Sequence, residues 1–112
     1  MGKIEKVAKY VEKGKTDKLI SLAQDKDKEV RLAAIEGLGQ VPQTEDSQNV
    51  LIRMEEDPDP EVRKAIIKTL GLSGDSYVIT HLRLVLSREK DESMIAVIRE
   101  ALANIEKRVG DE

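Results

Sequence analysis

The chain has no cysteine, no phenylalanine and no tryptophan, and it holds a single histidine, His81. Without cysteine there is no disulfide and no thiolate metal site, and a reducing compartment is the natural setting. With Tyr10 and Tyr77 as the only aromatics, a core must be built from Leu, Ile, Val and Ala. No run of about 18 apolar residues occurs, so no membrane-spanning helix is expected. The first residues, MGKIEKVAKYVEKG, lack the unbroken apolar centre of a signal peptide, and Lys6 stands where myristoylation needs a hydroxyl. The cytoplasm is the expected location.

What is abundant is charge. Asp, Glu, Lys and Arg make up 37% of the 112 residues, with both signs interspersed and a net charge of −3. Residues 1–18 hold six Lys against three acids, whereas residues 25–61 hold eleven acids against four bases. An acidic middle repels phosphate and argues against nucleic acid as a partner. A chain of this length makes one domain or one short array.

The segment DKDKEVR, Asp25 to Arg31, returns as DPDPEVR, Asp57 to Arg63, after 32 residues. The match extends on both sides. LISLAQDKDKEVRLAAIEGLG (19–39) aligns without a gap on LIRMEEDPDPEVRKAIIKTLG (51–71) and, more loosely, on RLVLSREKDESMIAVIREALA (83–103). Such self-similarity is the mark of a repeat array. Apolar residues spaced by three and four make each unit two helices. The first helices carry Leu19, Ile20 and Leu22; Val50, Leu51 and Met54; and Val78, Ile79, Leu82, Val85 and Leu86. The second helices carry Val30, Ala33, Ala34, Gly37 and Leu38; Val62, Ala65, Ile66 and Leu70; and Met94, Val97, Ile98, Ala101, Leu102 and Ile105. Thr16, Thr44 and Asp75 are expected N-caps of the first helices, and Asp27 and Asp59 of the second. Gly39 and Gly71 are expected to close their helices in the left-handed conformation. Ala103 replaces them in the third copy, so that helix should run to about Arg108. Ile4, Val7, Ala8 and Val11 form one more helix, an expected cap for the open end. This divides the chain into a capping helix (1–14) and units at 15–46, 47–78 and 79–110. Short helical pairs cannot bury their apolar faces alone, so they must stack into an all-α solenoid.

DPDPEVRKAIIKTLG resembles the hinge and second helix of HEAT-type repeats, in particular short bacterial and archaeal ones, and the similarity covers about Lys15 to Arg108. The resemblance implies a right-handed α-α superhelix and a binding scaffold. It also implies a polar ladder between units through Asp25, Arg31, Asp57 and Arg63, with Glu89 and Ile95 at the matching positions of the third unit. Ile95 has no donor, so the ladder should end there.

Catalysis and metal binding find little support. Asp25, Asp27 and Glu29 resemble the start of a calcium loop, but Val30 and Val62 stand where an EF-hand needs glycine. Capping and the helix dipole account for the same acids. No zinc signature, nucleophile elbow or phosphate loop is present. No cofactor, no metal and no enzymatic activity are expected. The basic first helix, with Lys3, Lys6, Lys9 and Lys13, is better explained as a cap than as a membrane-surface segment, since Trp and Phe are lacking. The expected function is non-catalytic protein or peptide binding. The alternatives are self-association and, by resemblance to HEAT-like lyases, an accessory subunit of an enzyme. At about 100° per residue, Leu32, Glu36, Lys64, Lys68, Ala96 and Glu100 point away from the core, flanked by Ile35, Ile67 and Arg99. The candidate partner surface is therefore Leu32, Ile35, Glu36, Lys64, Ile67, Lys68 and Arg99, suited to an acidic-hydrophobic peptide. The competing reading packs Ile35 and Ile67 within the stack and leaves the charges in water. In the hinges, the exchange of Lys26 and Lys28 for Pro58 and Pro60 is explained by stiffness: Pro suits the first helical position and restrains the residue before it.

Overall fold

In the computed structural model, which describes residues 2–110, the chain forms seven helices. They are α1 (Lys3–Glu12), α2 (Thr16–Leu22), α3 (Lys28–Leu38), α4 (Glu45–Met54), α5 (Pro60–Ser73), α6 (Ser76–Arg88) and α7 (Glu92–Gly110).

The D-x-D hinges explain why the second helices start where they do. The Asp25 side chain accepts from the Asp27 amide at 3.0 Å, and Asp27 in turn accepts from Glu29 at 2.9 Å. Asp57 and Asp59 repeat the relay at 2.9 Å each. The first Asp shapes the turn and the second caps the helix. Pro60 sits at the first helical position, where no amide is missed. In the third unit Asp91 accepts from Ser93 at 2.8 Å and from Met94 at 3.2 Å. The first helices are capped by Thr44, in a reciprocal box with Ser47, and by Asp75.

Thr16 does not cap α2. It is the first helical residue, and Lys15 precedes it without a side-chain bond. The cause is Gly14, at φ 65°, which closes α1. Lys15 donates back to the Tyr10 carbonyl and Gly14 to that of Val11, so the chain enters α2 with no room for an extended cap.

The expected left-handed stops are also corrected. Gly39 ends α3 with φ −72°, in the ordinary helical region. Gly71 lies inside α5, which continues to Ser73. Its role is close approach: a Cβ there would lie 2.8 Å from both Cα and Cβ of Ala101 on α7. The α5 C-terminus is held from outside its unit, by Arg108 of α7 donating to the carbonyls of Gly71 (3.0 Å) and Gly74 (2.6 Å). α7 itself runs to Gly110, close to the expected end.

The pairs α2–α3, α4–α5 and α6–α7 stack side by side, with α3, α5 and α7 packed in succession as one layer. The overall extents are 41 × 33 × 18 Å, and the shortest of these is about two helix diameters. Unit boundaries drawn at 46/47 and 78/79 fall within the first turns of α4 and α6. The helical pairs instead break at 39–44 and 74–75, because the second-helix hinges keep the 32-residue spacing and the first helices do not. α1 packs on α3 as well as on α2, taking the place of a preceding unit's second helix.

The core runs unbroken through the stack: Leu19, Ile35, Leu38, Leu51, Ile66, Ile67, Leu70, Leu82, Met94, Ile98 and Ile105 are fully buried or nearly so. Each contributes roughly 1.5–3 kcal/mol by burial. Thr69, a buried polar residue, donates its hydroxyl to the Ile35 carbonyl at 3.2 Å, tying α5 to α3. The fold is an α-solenoid.

Candidate functional site

Two features answer to the sequence candidates: the hinge ladder and the surface of the second helices. In the ladder, Arg31 places Nε 3.4 Å from Asp57 of the next unit, and its Nη1 donates to the carbonyls of Asp25 and Lys26 at 3.1 Å each. Arg63 reaches Glu89 at 3.1 Å. Arg63 thus hydrogen-bonds the following unit's hinge, whereas Arg31 faces it as an ion pair only, its buried Nε making no hydrogen bond. Two members were not evident in the sequence. Lys3 of α1 pairs with Asp25 at 2.7 Å, extending the ladder to the capping helix. Lys28 pairs with the capping Asp59 of the next unit at 2.9 Å and with Glu61 at 3.4 Å. The exchange of Lys28 for Pro60 therefore has a chemical side as well as a mechanical one. Hydrogen bonding from Lys3 holds the Asp25 carboxyl below the usual carboxylate range, and Lys28 does the same for Asp59. The Asp59 partner pushes the Lys28 ammonium up in return. In Asp91 the lowering comes first from the Ser93 hydroxyl. These are fastenings between units. On the outer layer His81 bonds Glu55 at the C-terminal end of α4, joining the second and third units.

The second-helix surface carries an open groove of about 500 Å³ between α3 and α5. Leu32 and Glu36 line it from α3, and Glu61, Lys64, Ala65, Lys68 and Leu72 from α5. A smaller groove of about 350 Å³ follows between α5 and α7, sharing Lys68 and Leu72 and adding Val97, Glu100 and Ala101. Lys64, Lys68 and Leu72 are spaced by four and form one ridge between the two grooves.

Four of the candidate partner-surface residues, Leu32, Glu36, Lys64 and Lys68, are thus brought together. Ile35 and Ile67 are not part of the surface: they are 0% and 1% exposed, because the next unit covers that side of each second helix. Arg99 occupies the same repeat position on α7, where no unit covers it in the structure, and there it is exposed. It lines neither groove. The apolar role assigned to the isoleucines belongs to Leu72, which is 64% exposed. The missed signal was the continuation of α5: once Gly71 is helical, Leu72 falls one turn beyond Lys68. Gly39 lies beside it, where an added Cβ would make an ordinary contact with Leu72 Cδ1 at 3.6 Å.

No helix among the described residues is long and apolar enough to cross a membrane. Compared with family models, the chain matches HEAT repeats over residues 16–103. Neither the curated proteins nor the solved structures give a match. Three stacked helical pairs, hinge acids bonded to the preceding unit and a family match over most of the sequence converge: the chain belongs to the HEAT-repeat family.

Proposed function

We propose that this protein is a non-catalytic binding scaffold that captures a protein or peptide on the face formed by α3, α5 and α7. HEAT repeats are commonly protein-interaction scaffolds and generally non-catalytic. The observation that carries the reading is Leu72, a large apolar side chain left mostly in water between two grooves floored by Leu32, Ala65, Val97 and Ala101. Apolar surface held open in this way favours a partner that covers it. Burying the exposed part of Leu72 is worth roughly 1–2 kcal/mol by its area.

The test compares capture from native lysate by the unaltered chain, by Leu72→Asp, and by Lys64→Glu with Lys68→Glu. Lys18→Glu, a change at an exposed position of α2 with no ion pair among the described residues, serves as the control. Partners retained by the control and lost by both groove variants, at unchanged helicity, are the expected result. An identical set of partners on all four proteins would move the binding surface elsewhere.

A further inference from the structure

We propose that the occupant of the α3–α5 groove is an amphipathic helix of a partner protein, apolar along one stripe and acidic along the flank that lies over α5. This rests on the second-helix face being the binding surface.

Shape comes first. The groove is walled by two helices, and its α5 wall is the row Lys64, Lys68, Leu72. Eight residues of helix rise about 12 Å, enough to meet two or three apolar anchors spaced by three or four. Gly39 and Ala65 are small and leave depth between Leu32 and Leu72, where an inserted side chain can sit. A helix also suits the chemistry of the lining. It satisfies its own backbone, whereas an extended peptide needs partners for each amide and carbonyl, and Gln40 is the one side-chain amide among the lining residues.

Charge sets the flank. Lys64 and Lys68 form no ion pair among the described residues, and they stand side by side on the α5 wall. Glu61, the acid on the same helix, is already engaged by Lys28 at 3.4 Å. The α3 wall carries Glu36. A ligand acidic over α5 meets two ammonium groups that hold no ion pair among the described residues, Lys68 exposed and Lys64 half-buried with Asp91 in its field. A basic ligand meets both of them as repulsion and gains Glu36 on the α3 side, while Glu61, the other acid lining the groove, is shared with Lys28.

The test uses two synthetic helical peptides with the same leucine stripe, one with Glu and one with Lys along a single flank and Gln elsewhere. Binding to the whole chain is read by fluorescence anisotropy at low salt. The Glu peptide is expected to bind about tenfold tighter, the size of two exposed ion pairs. Lys64→Glu with Lys68→Glu should reverse the order, and Leu72→Asp should abolish binding of both. Leu72→Ala is the milder substitution and should weaken both if the Asp variant does not fold. Equal binding, tighter binding of the Lys peptide, no binding of either, or binding indifferent to Leu72 would overturn the proposal. If Leu72→Asp still loses native partners while the peptides show no charge preference, the surface stands and only this partner class falls. A dimer in sedimentation that Leu72→Asp dissociates would make a second copy the occupant and would also overturn it.

Discussion

Gly39 and Gly71 hold the same place in consecutive repeats, yet alanine should have opposite consequences at the two. At Gly71 a Cβ would lie 2.8 Å from Ala101 Cα and Cβ. Carbon atoms rest at about 3.5–4.0 Å, so the overlap is close to 1 Å. Ala101 Cα is backbone, and relief requires α7 to move away from α5. Overpacking costs about 1–3 kcal/mol, and a rigid backbone neighbour puts this site at the upper end. Alanine returns about 1 kcal/mol of helix propensity, because Gly71 already has helical geometry. The net loss is about 2 kcal/mol, or roughly 10 °C in Tm for a domain of this size. At Gly39 φ is −72°, and the nearest neighbours of an added Cβ are the Glu36 carbonyl at 3.3 Å and two side-chain ends at 3.6 Å. Gly39→Ala should stay within about 0.5 kcal/mol of the parent. Ala101→Gly should rescue Gly71→Ala only in part, since the overlap with the α7 backbone remains. The assay is urea unfolding followed by far-UV circular dichroism, with thermal melts alongside. Gly71→Ala at parental stability, or Gly39→Ala losing as much, would refute the close-approach argument and restore the idea of two helix stops.

Further outcomes follow from the fastenings between units. Arg31→Met should cost about 1.5–3 kcal/mol, since Arg31 serves two hinge carbonyls as well as Asp57, while Arg63→Met, with Glu89 as its interunit partner, should cost less; equal losses in urea would contradict this. Asp25, Asp59 and Asp91 all titrate below their ordinary range, so their stabilisation is complete above about pH 4 and disappears as pH falls through the lowered folded values. Lys28→Gln removes the main cause at Asp59 and should move the acid unfolding midpoint upward; an unchanged midpoint would show that the pair does not act in solution. Lys28 itself, raised in the folded chain, contributes fully below about pH 10 and loses its contribution as pH rises through its folded value. Thr69→Val keeps the shape but leaves the Ile35 carbonyl without its hydroxyl donor, for an expected loss of about 1 kcal/mol in the same urea assay.

The solenoid was legible because it is written locally and repeatedly. Asp27 and Asp59 cap through bonds to amides two residues away, and Val30, Ala34 and Leu38 keep a helical spacing whatever they pack against. The candidate surface was legible only in part. Helical geometry placed Leu32, Glu36, Lys64 and Lys68 along one groove, with Leu32 half-buried against the core, but one periodicity cannot say which flank the next unit covers. Ile35 and Ile67 therefore looked available when they are core, and Leu72 was hidden behind a glycine that resembles a stop.

The amino-acid sequence by itself determined the repeat, its two-helix unit, the hinges and most of the caps, because each depends on neighbours within a few residues. Tertiary structure alone decided the conformation of Gly71, the reach of Lys3 and Lys28 to the next hinge, and the exposure of Leu72. Each of these depends on how far apart stacked units sit, and that distance is set by side chains about 30 residues apart, such as Gly71 against Ala101.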